Sequence, residues 1–312
     1  MIAKEEIIEN LFKSSRIKTI TMTRINYGSK RLYVAFNPFG AYSGLTGALN
    51  AATFKGNIDN KRLDGWRNKM INELGSIERQ EAYLNTMADF GTIVHEVLVR
   101  AWEQGYLDWE KEKEYAENYF ISSAQKNKIA INENVLQAQV FEYCKSAASI
   151  LQFLYDEVEE LFAVESMCKS DVLQIATPVD VVCKLKNGKI ATLNIKTSSQ
   201  ISDHQREQVA MERYLWNNTY PDCQADITGI IRPKDWSLKK GVPTYELEFL
   251  SPQTEDLFLS SALTRLQLCK NDSKSSYVNW SNETVAFTGQ TKVGEAPKLE
   301  TKTLEEILTK LN

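Results

Sequence analysis

The 312-residue chain reads as an α/β protein, α+β in its layout, built around a mixed sheet. Three observations predict this. Helical periodicity dominates the front half, short apolar strand-like runs begin at Phe162, and Asn187-Gly188 closes a hairpin between two of those runs.

The first long helix is predicted over "SIERQEAYLNTMADFGTIVHEVLVRAWEQG". It starts near Ser76, a residue type suited to an N-cap, and stops at Gly105, placed like a C′ glycine. A second runs from about Asn132 to Leu161, so the front half is expected to be mainly helical. After it, "FAVESMCK", "QIATPVDVVCKLK", "KIATLNIKT", "ADITGIIRP" and "TYELEFL" read as strands, with helices over "DHQREQVAMERYLWNN" and "PQTEDLFLSSALTRLQLC". "KNDSKSS" near 270–276 reads as a linker. The final "TLEEILTKLN" makes a short amphipathic helix through Leu304, Ile307, Leu308 and Leu311, expected to dock on its own domain.

No apolar run approaches the roughly 18 residues of a membrane span, and "KEEIIEN" leaves no room for a signal-peptide core. A cytoplasmic protein with no membrane contact is expected. Cys144, Cys168, Cys183, Cys223 and Cys269 are odd in number and never in C-x-x-C spacing, which argues against zinc, an iron–sulfur cluster or a disulfide framework. The net charge of −4 is unevenly spread: residues 1–75 carry twelve Lys/Arg against six Asp/Glu. The split allows one basic face for a phosphate backbone on an acidic body, although a solvated charged surface has the same signature.

The hairpin decides which side chains meet. A two-residue Asn-Gly loop would set Asp180 opposite Ile195 and mix polar with apolar groups on both faces. A three-residue loop, with Gly188 as a bulge, sets Leu185 opposite Lys189 and Asp180 opposite Asn194. Val179, Val181 and Cys183 then share a face with Ile195, Leu193 and Ala191, and this cleaner pattern favours the second register. Asp180, Asn194 and Lys196 consequently converge on one patch. A carboxylate pair there would hold Mg²⁺ through hard oxygen ligands, with the lysine beside it. An ordinary hairpin with one solvated face is the plainer alternative.

The succession "GTIVHE", "PVD", "NIK" and "QREQVAMERY" resembles the PD-(D/E)XK nuclease superfamily. More narrowly it is similar to the RecB-type exonucleases, among them mitochondrial genome maintenance and phage exonucleases. "AYSGLTGAL" and "LDGWRNKM" are similar to the entry region of that group, so the resemblance spans roughly residues 40 to 220. It implies a restriction-endonuclease-like core and hydrolysis of DNA with Mg²⁺, or Mn²⁺ in its place. By position, Asp180 matches the metal-binding aspartate, Lys196 the lysine of the strand, Gln208 the glutamine of the following helix, and His95 the upstream histidine. Ile195 would add a backbone carbonyl, and Glu165 on the preceding strand a further acidic ligand. Gly91, one turn before His95, removes the side chain that would crowd the same helical face.

Pro178 stands where the group usually has glycine. Glu212 stands where an aromatic is common, with Tyr214 two further on as a candidate DNA contact. Asn194 is the sharper departure, because it replaces the acidic residue of the defining pattern with an amide that offers one oxygen. Three explanations fit: a substitution made to trap substrate or metal, a degraded nuclease that only binds DNA, or an active enzyme using Asn194 as a neutral ligand. The first is preferred.

On this reading residues 1–75 are a basic DNA-entry region, 76–270 the nuclease core, and 271–312 the linker and terminal helix. Lys30, Arg31, Lys61, Arg62, Arg67 and Lys69, interspersed with Tyr33, Phe36, Phe39 and Trp66, would contact DNA that is single-stranded or has free ends. No element suited to base-specific readout is visible. By resemblance, a recombination or single-strand binding protein would be a natural partner.

Overall fold

The computed structural model describes residues 2–14, 16–27, 30–36, 39–51, 58–234 and 243–270, with two short strands at 286–287 and 299–300. Apart from those two strands, the expected linker and terminal amphipathic helix lie outside the described residues.

The chain opens with α1 (Ile2–Phe12), then β1 (Thr23–Tyr27), β2 (Lys30–Phe36) and β3 (Phe39–Gly44), followed by α2 (Leu45–Ala51) and α3 (Ile58–Leu74). The front half is mainly helical, as expected, and the β1–β3 meander is an addition to it. Three long helices come next: α4 (Ile77–Gln104), α5 (Trp109–Lys126) and α6 (Glu133–Glu157). Each begins at a side-chain cap, with Ser76 accepting from the Arg79 amide, Asp108 from Glu110 and Lys111, and Asn132 from Val135. Gly105 ends α4 at φ 78, in the left-handed region that glycine enters without steric cost.

The helix expected to reach Leu161 stops at Glu157, because Val158 pairs with Leu185 and begins a 13-residue strand, β4 (Val158–Ser170). The run "VEELFAV" satisfies either period, and the ladder offered by the neighbouring strand decides it. Then follow β5 (Ile175–Leu185), β6 (Ile190–Ile195), α7 (Asp203–Thr219), β7 (Ile227–Lys234), β8 (Thr244–Phe249) and α8 (Pro252–Lys270). The result is a mixed α/β fold with parallel β3/β5 and β6/β7 pairs among antiparallel ones.

Helices cover both faces of the sheet. On one, Ile93, Val94, Val97 and Leu98 of α4 and Tyr143, Ile150 and Leu154 of α6 pack on Val181, Cys183, Ala191, Leu193 and Ile195. Each such aliphatic side chain contributes about 1.5–3 kcal/mol when fully buried. On the other, Met211, Leu215 and Trp216 of α7 and Leu266 of α8 pack on Val182 and Cys168. Val179, expected with Val181, belongs to this second cluster instead; it lies beyond the last β5–β6 ladder pair, Val181 with Leu193.

A buried polar knot ties α4, α5 and α6 together. Arg100 donates to both oxygens of Glu112, at 3.0 Å from Nε and 2.7 Å from Nη2, and to the Tyr143 hydroxyl at 2.9 Å. Tyr143 in turn donates to Glu112. Among the described residues no helix is long and apolar enough to cross a membrane.

Candidate metal centre

The turn closes as the three-residue loop requires. The Leu185 amide donates to the Lys189 carbonyl at 2.8 Å, Gly188 sits at φ 85, and Val181, Val182, Cys183 and Lys184 face Leu193, Thr192, Ala191 and Ile190. One step beyond, Asp180 and Asn194 are set across from each other.

The sheet forks at that step. β4 pairs with β5 from Ile175 to Leu185 and so takes one of its edges. β3 and β6 must share the other: β3 holds it at Ile175–Ala176, β6 at Val181–Lys184. Between them, Thr177 to Asp180 have no ladder partner on that edge among the described residues. The Ile195 amide, left without a β5 carbonyl, donates to Asp180 Oδ2 at 2.7 Å. This fixes the carboxylate in the mouth of the fork. It is the amide of Ile195, rather than the expected carbonyl, that is seen to contact the site.

Three elements bring donor atoms to this mouth. His95 Nδ1 from α4 lies 3.1 Å from Asp180 Oδ2 and 3.6 Å from Glu165 Oε1. One donor atom from each of His95, Glu165 and Asp180 falls within 4.8 Å of the others, a separation at which the three can coordinate a divalent ion. Glu165 lies between the β4 residues paired with Val181 and Val179, hence across from Asp180. Its φ of 46 is left-handed, a strained state for a residue with a side chain and one that concentrates at functional sites. The room made by Gly91 is used by Thr197, whose Oγ1 would lie 3.3 Å from a Cβ there. Glycine therefore lets α4 approach the end of β6.

On the other side of the carboxylate runs a chain of hydrogen bonds with a defined polarity. Lys196 Nζ donates to Gln208 Oε1 at 3.1 Å, Gln208 Nε2 to Glu212 Oε1 at 2.7 Å, and Asn194 Nδ2 to Glu212 Oε1 and Oε2 at 3.1 and 3.0 Å. An ammonium only donates, so it fixes the orientation of Gln208, which in turn makes Glu212 an acceptor. Asn194 presents its amino group to both Glu212 oxygens, and its Oδ1 is left buried with no hydrogen-bond partner.

The charges respond to this crowding. Burial pulls His95 down, but Asp180 and Glu165 outweigh it and hold the imidazole at about 10. Burial opposes the charge on Asp180, yet His95, Lys196 and the Ile195 amide keep its carboxyl below the usual range. Glu212 is pushed up to about 8 by burial and by the neighbouring Asp180. An imidazolium thus balances the two facing carboxylates in the metal-free protein.

The basic residues expected to meet DNA are spread over the first strands and α3. Arg31 on β2 and Arg67 and Lys69 on α3 are exposed, with Lys69 near Glu73 at 3.7 Å. Lys30 lies on β2 and Lys61 and Arg62 on α3. Tyr33 is buried, and Tyr214 packs half-buried against the cluster of Met211 and Leu215, so both rings serve the core. Sequence reasoning missed Arg24. Strand register puts it on one face with Arg31 and Tyr33, and partial burial and the Arg31 charge hold it below the ordinary arginine value while Glu165 opposes them. A groove of about 320 Å³, lined by Arg16, Thr19, Trp102, Glu165 and Met167 among others, reaches the centre through Glu165.

One imidazole nitrogen and two carboxylates, from His95, Glu165 and Asp180, suit a divalent ion. The residues present therefore fit a divalent metal ion. No protein-family model matches the chain, and no curated protein matches it either.

Proposed function

We propose that this chain is a divalent-metal-dependent nuclease of the PD-(D/E)XK type, with a restriction-endonuclease-like core, that hydrolyses DNA from its ends with little sequence preference. The observation that carries the reading is the convergence of His95, Glu165 and Asp180 at the sheet fork, with Lys196 held beside them by Gln208.

His95, Glu165, Asp180 and the Asn194 oxygen would hold the ion, which when bound polarises a phosphoryl oxygen and lowers the pKa of water. Lys196 holds its ammonium against the Gln208 oxygen and acts electrostatically on Asp180, where it steadies negative charge developing on a phosphate. Asp180 is oriented by the Ile195 amide before any substrate arrives, so little reorganisation remains. Arg24 and Arg31 present positive charge near Glu165, suited to a backbone phosphate entering between β3 and β6. The groove beside Glu165 gives a strand end room to lie.

The test is incubation of the chain with linear and with covalently closed DNA in Mn²⁺ or Mg²⁺, beside Asp180→Asn and Lys196→Ala. Nucleotides released from linear DNA alone, and lost in both variants, are expected. Salt-sensitive DNA binding without cleavage under either ion would replace the nuclease with a binding module, the alternative that the neutral Asn194 leaves open.

A further inference from the structure

A strand acid is missing at 194, and a buried acid that sequence reasoning did not single out as a ligand stands against that very position. Glu212 is 1 % exposed and accepts from the Asn194 amino group with both oxygens, at 3.1 and 3.0 Å. It accepts a further hydrogen bond from Gln208, at 2.7 Å. An aspartate at 194 would set two carboxyl groups at hydrogen-bond distance that could pair only by holding a proton between them, whereas the amide supplies a donor of its own. The pair is chemically matched as it stands.

We propose that Glu212 is a positioning residue of the metal centre: it accepts from the Asn194 amino group and so fixes the amide with its oxygen open to a divalent ion. This rests on the metal-centre reading above and deepens it. The buried Asn194 Oδ1 without a protein partner is the second, independent sign of a ligand, since a polar atom so placed is otherwise satisfied. On this account the amide at 194 is native to the site, and replacing it with aspartate alone harms the centre.

The polarity of the chain from Lys196 makes the consequences of each substitution specific. In Glu212→Gln, the new oxygen must accept from Gln208, so the new amino group faces position 194. Asn194 then turns its own oxygen toward residue 212 and offers hydrogens to the ion. In Asn194→Asp, two acceptors face each other. In the double variant, Gln208 donates to the new glutamine and that glutamine donates to the new aspartate, so every polarity is met again.

The experiment compares the parent, the two single variants and the double variant at one alkaline pH, by Mn²⁺ titration calorimetry and by thermal unfolding without metal. Glu212→Gln is expected to lose about 10–100-fold in Mn²⁺ affinity, as removal of an outer partner of a ligand does. Asn194→Asp is expected to unfold at a lower temperature than the parent and to gain no affinity. The double variant is expected to recover both quantities, and if Asn194→Asp does not fold, recovery of folding in the double variant supports the pairing equally. Tighter Mn²⁺ binding by Asn194→Asp at an unchanged midpoint, or effects that simply add in the double variant, would overturn the proposal. A parent that binds no Mn²⁺ overturns it too. A parent that shows the expected pattern yet cleaves no DNA leaves the pair standing and removes only the nuclease reading.

Discussion

At the proposed centre a metal ion would compete with the proton for His95, and the competition has a calculable size. The imidazole sits 3.1 Å from Asp180 and 3.6 Å from Glu165 and is held at about 10, so it is charged in the metal-free protein at neutral pH. An ion coordinated by Nδ1 must displace that proton. At about pH 7.5 the displacement spans ~2.5 pK units, about 3.4 kcal/mol, which weakens apparent affinity by about 300-fold relative to the deprotonated site. Mn²⁺ affinity is therefore expected to rise about tenfold per pH unit between about pH 7 and 9. Calorimetry in two buffers of different ionisation enthalpy should report release of about one proton per ion. The metal-free protein moves the opposite way. Because the folded value lies above the unfolded value of 6.5, the stabilisation from His95 is complete below about 6.5 and is lost as pH rises through about 10. His95→Ala should abolish the proton release and flatten the affinity profile. Affinity that is independent of pH in the parent protein, with no proton released, would refute the assignment of Nδ1 as a ligand.

Other perturbations follow from geometry outside the triad. Arg100→Met leaves the Glu112 carboxylate buried without its cation and should cost about 3–5 kcal/mol in urea unfolding. Gly229→Ala places a Cβ 2.6 Å from the Glu248 carbonyl oxygen and 2.8 Å from the Phe249 ring, so β7 and β8 must separate, with an expected loss of about 1–3 kcal/mol measured the same way. Replacing Arg24 and Arg31 together by alanine should weaken binding of single-stranded DNA and reduce the slope of log affinity against log salt by about one per arginine, read by fluorescence anisotropy across a salt series.

How much of this was legible in the sequence differs from element to element. The hairpin register was, because only the wide turn at Gly188 keeps Val181, Cys183, Ala191 and Leu193 on one face, and burial strongly specifies register. Asp180, His95 and Glu165 could be named from spacing and resemblance. Their convergence depends on where β6 leaves β5, which no local pattern states. The β1–β3 meander was readable in "TRINY" and "KRLYVAF", whose alternation was overshadowed by their charges. Glu212 had a signal of its own: an acid four residues after Gln208, interrupting the apolar face formed by Met211, Leu215 and Trp216. A charge on a buried helical stripe needs a partner. Asn194, the one polar residue of β6 with an acid-replacing amide, was the partner to look for.

The fork explains why these residues can act together at all. In an unbroken sheet, side chains from helices on opposite faces are kept apart by the backbone layer, and a residue belongs to one face or the other. His95 comes from α4, packed on the face of Val181 and Leu193, while Gln208 and Glu212 come from α7, packed on the face of Val182. They meet because Asp180 lies where β5 has lost β6 and has not yet gained β3, so its carboxylate turns into the plane of the sheet to accept the unpaired Ile195 amide. From there it is reached by His95 on one side and acts on Lys196 and Glu212 on the other. The opening that lets the two faces communicate is also bordered by β3, the strand that follows Arg31 on β2.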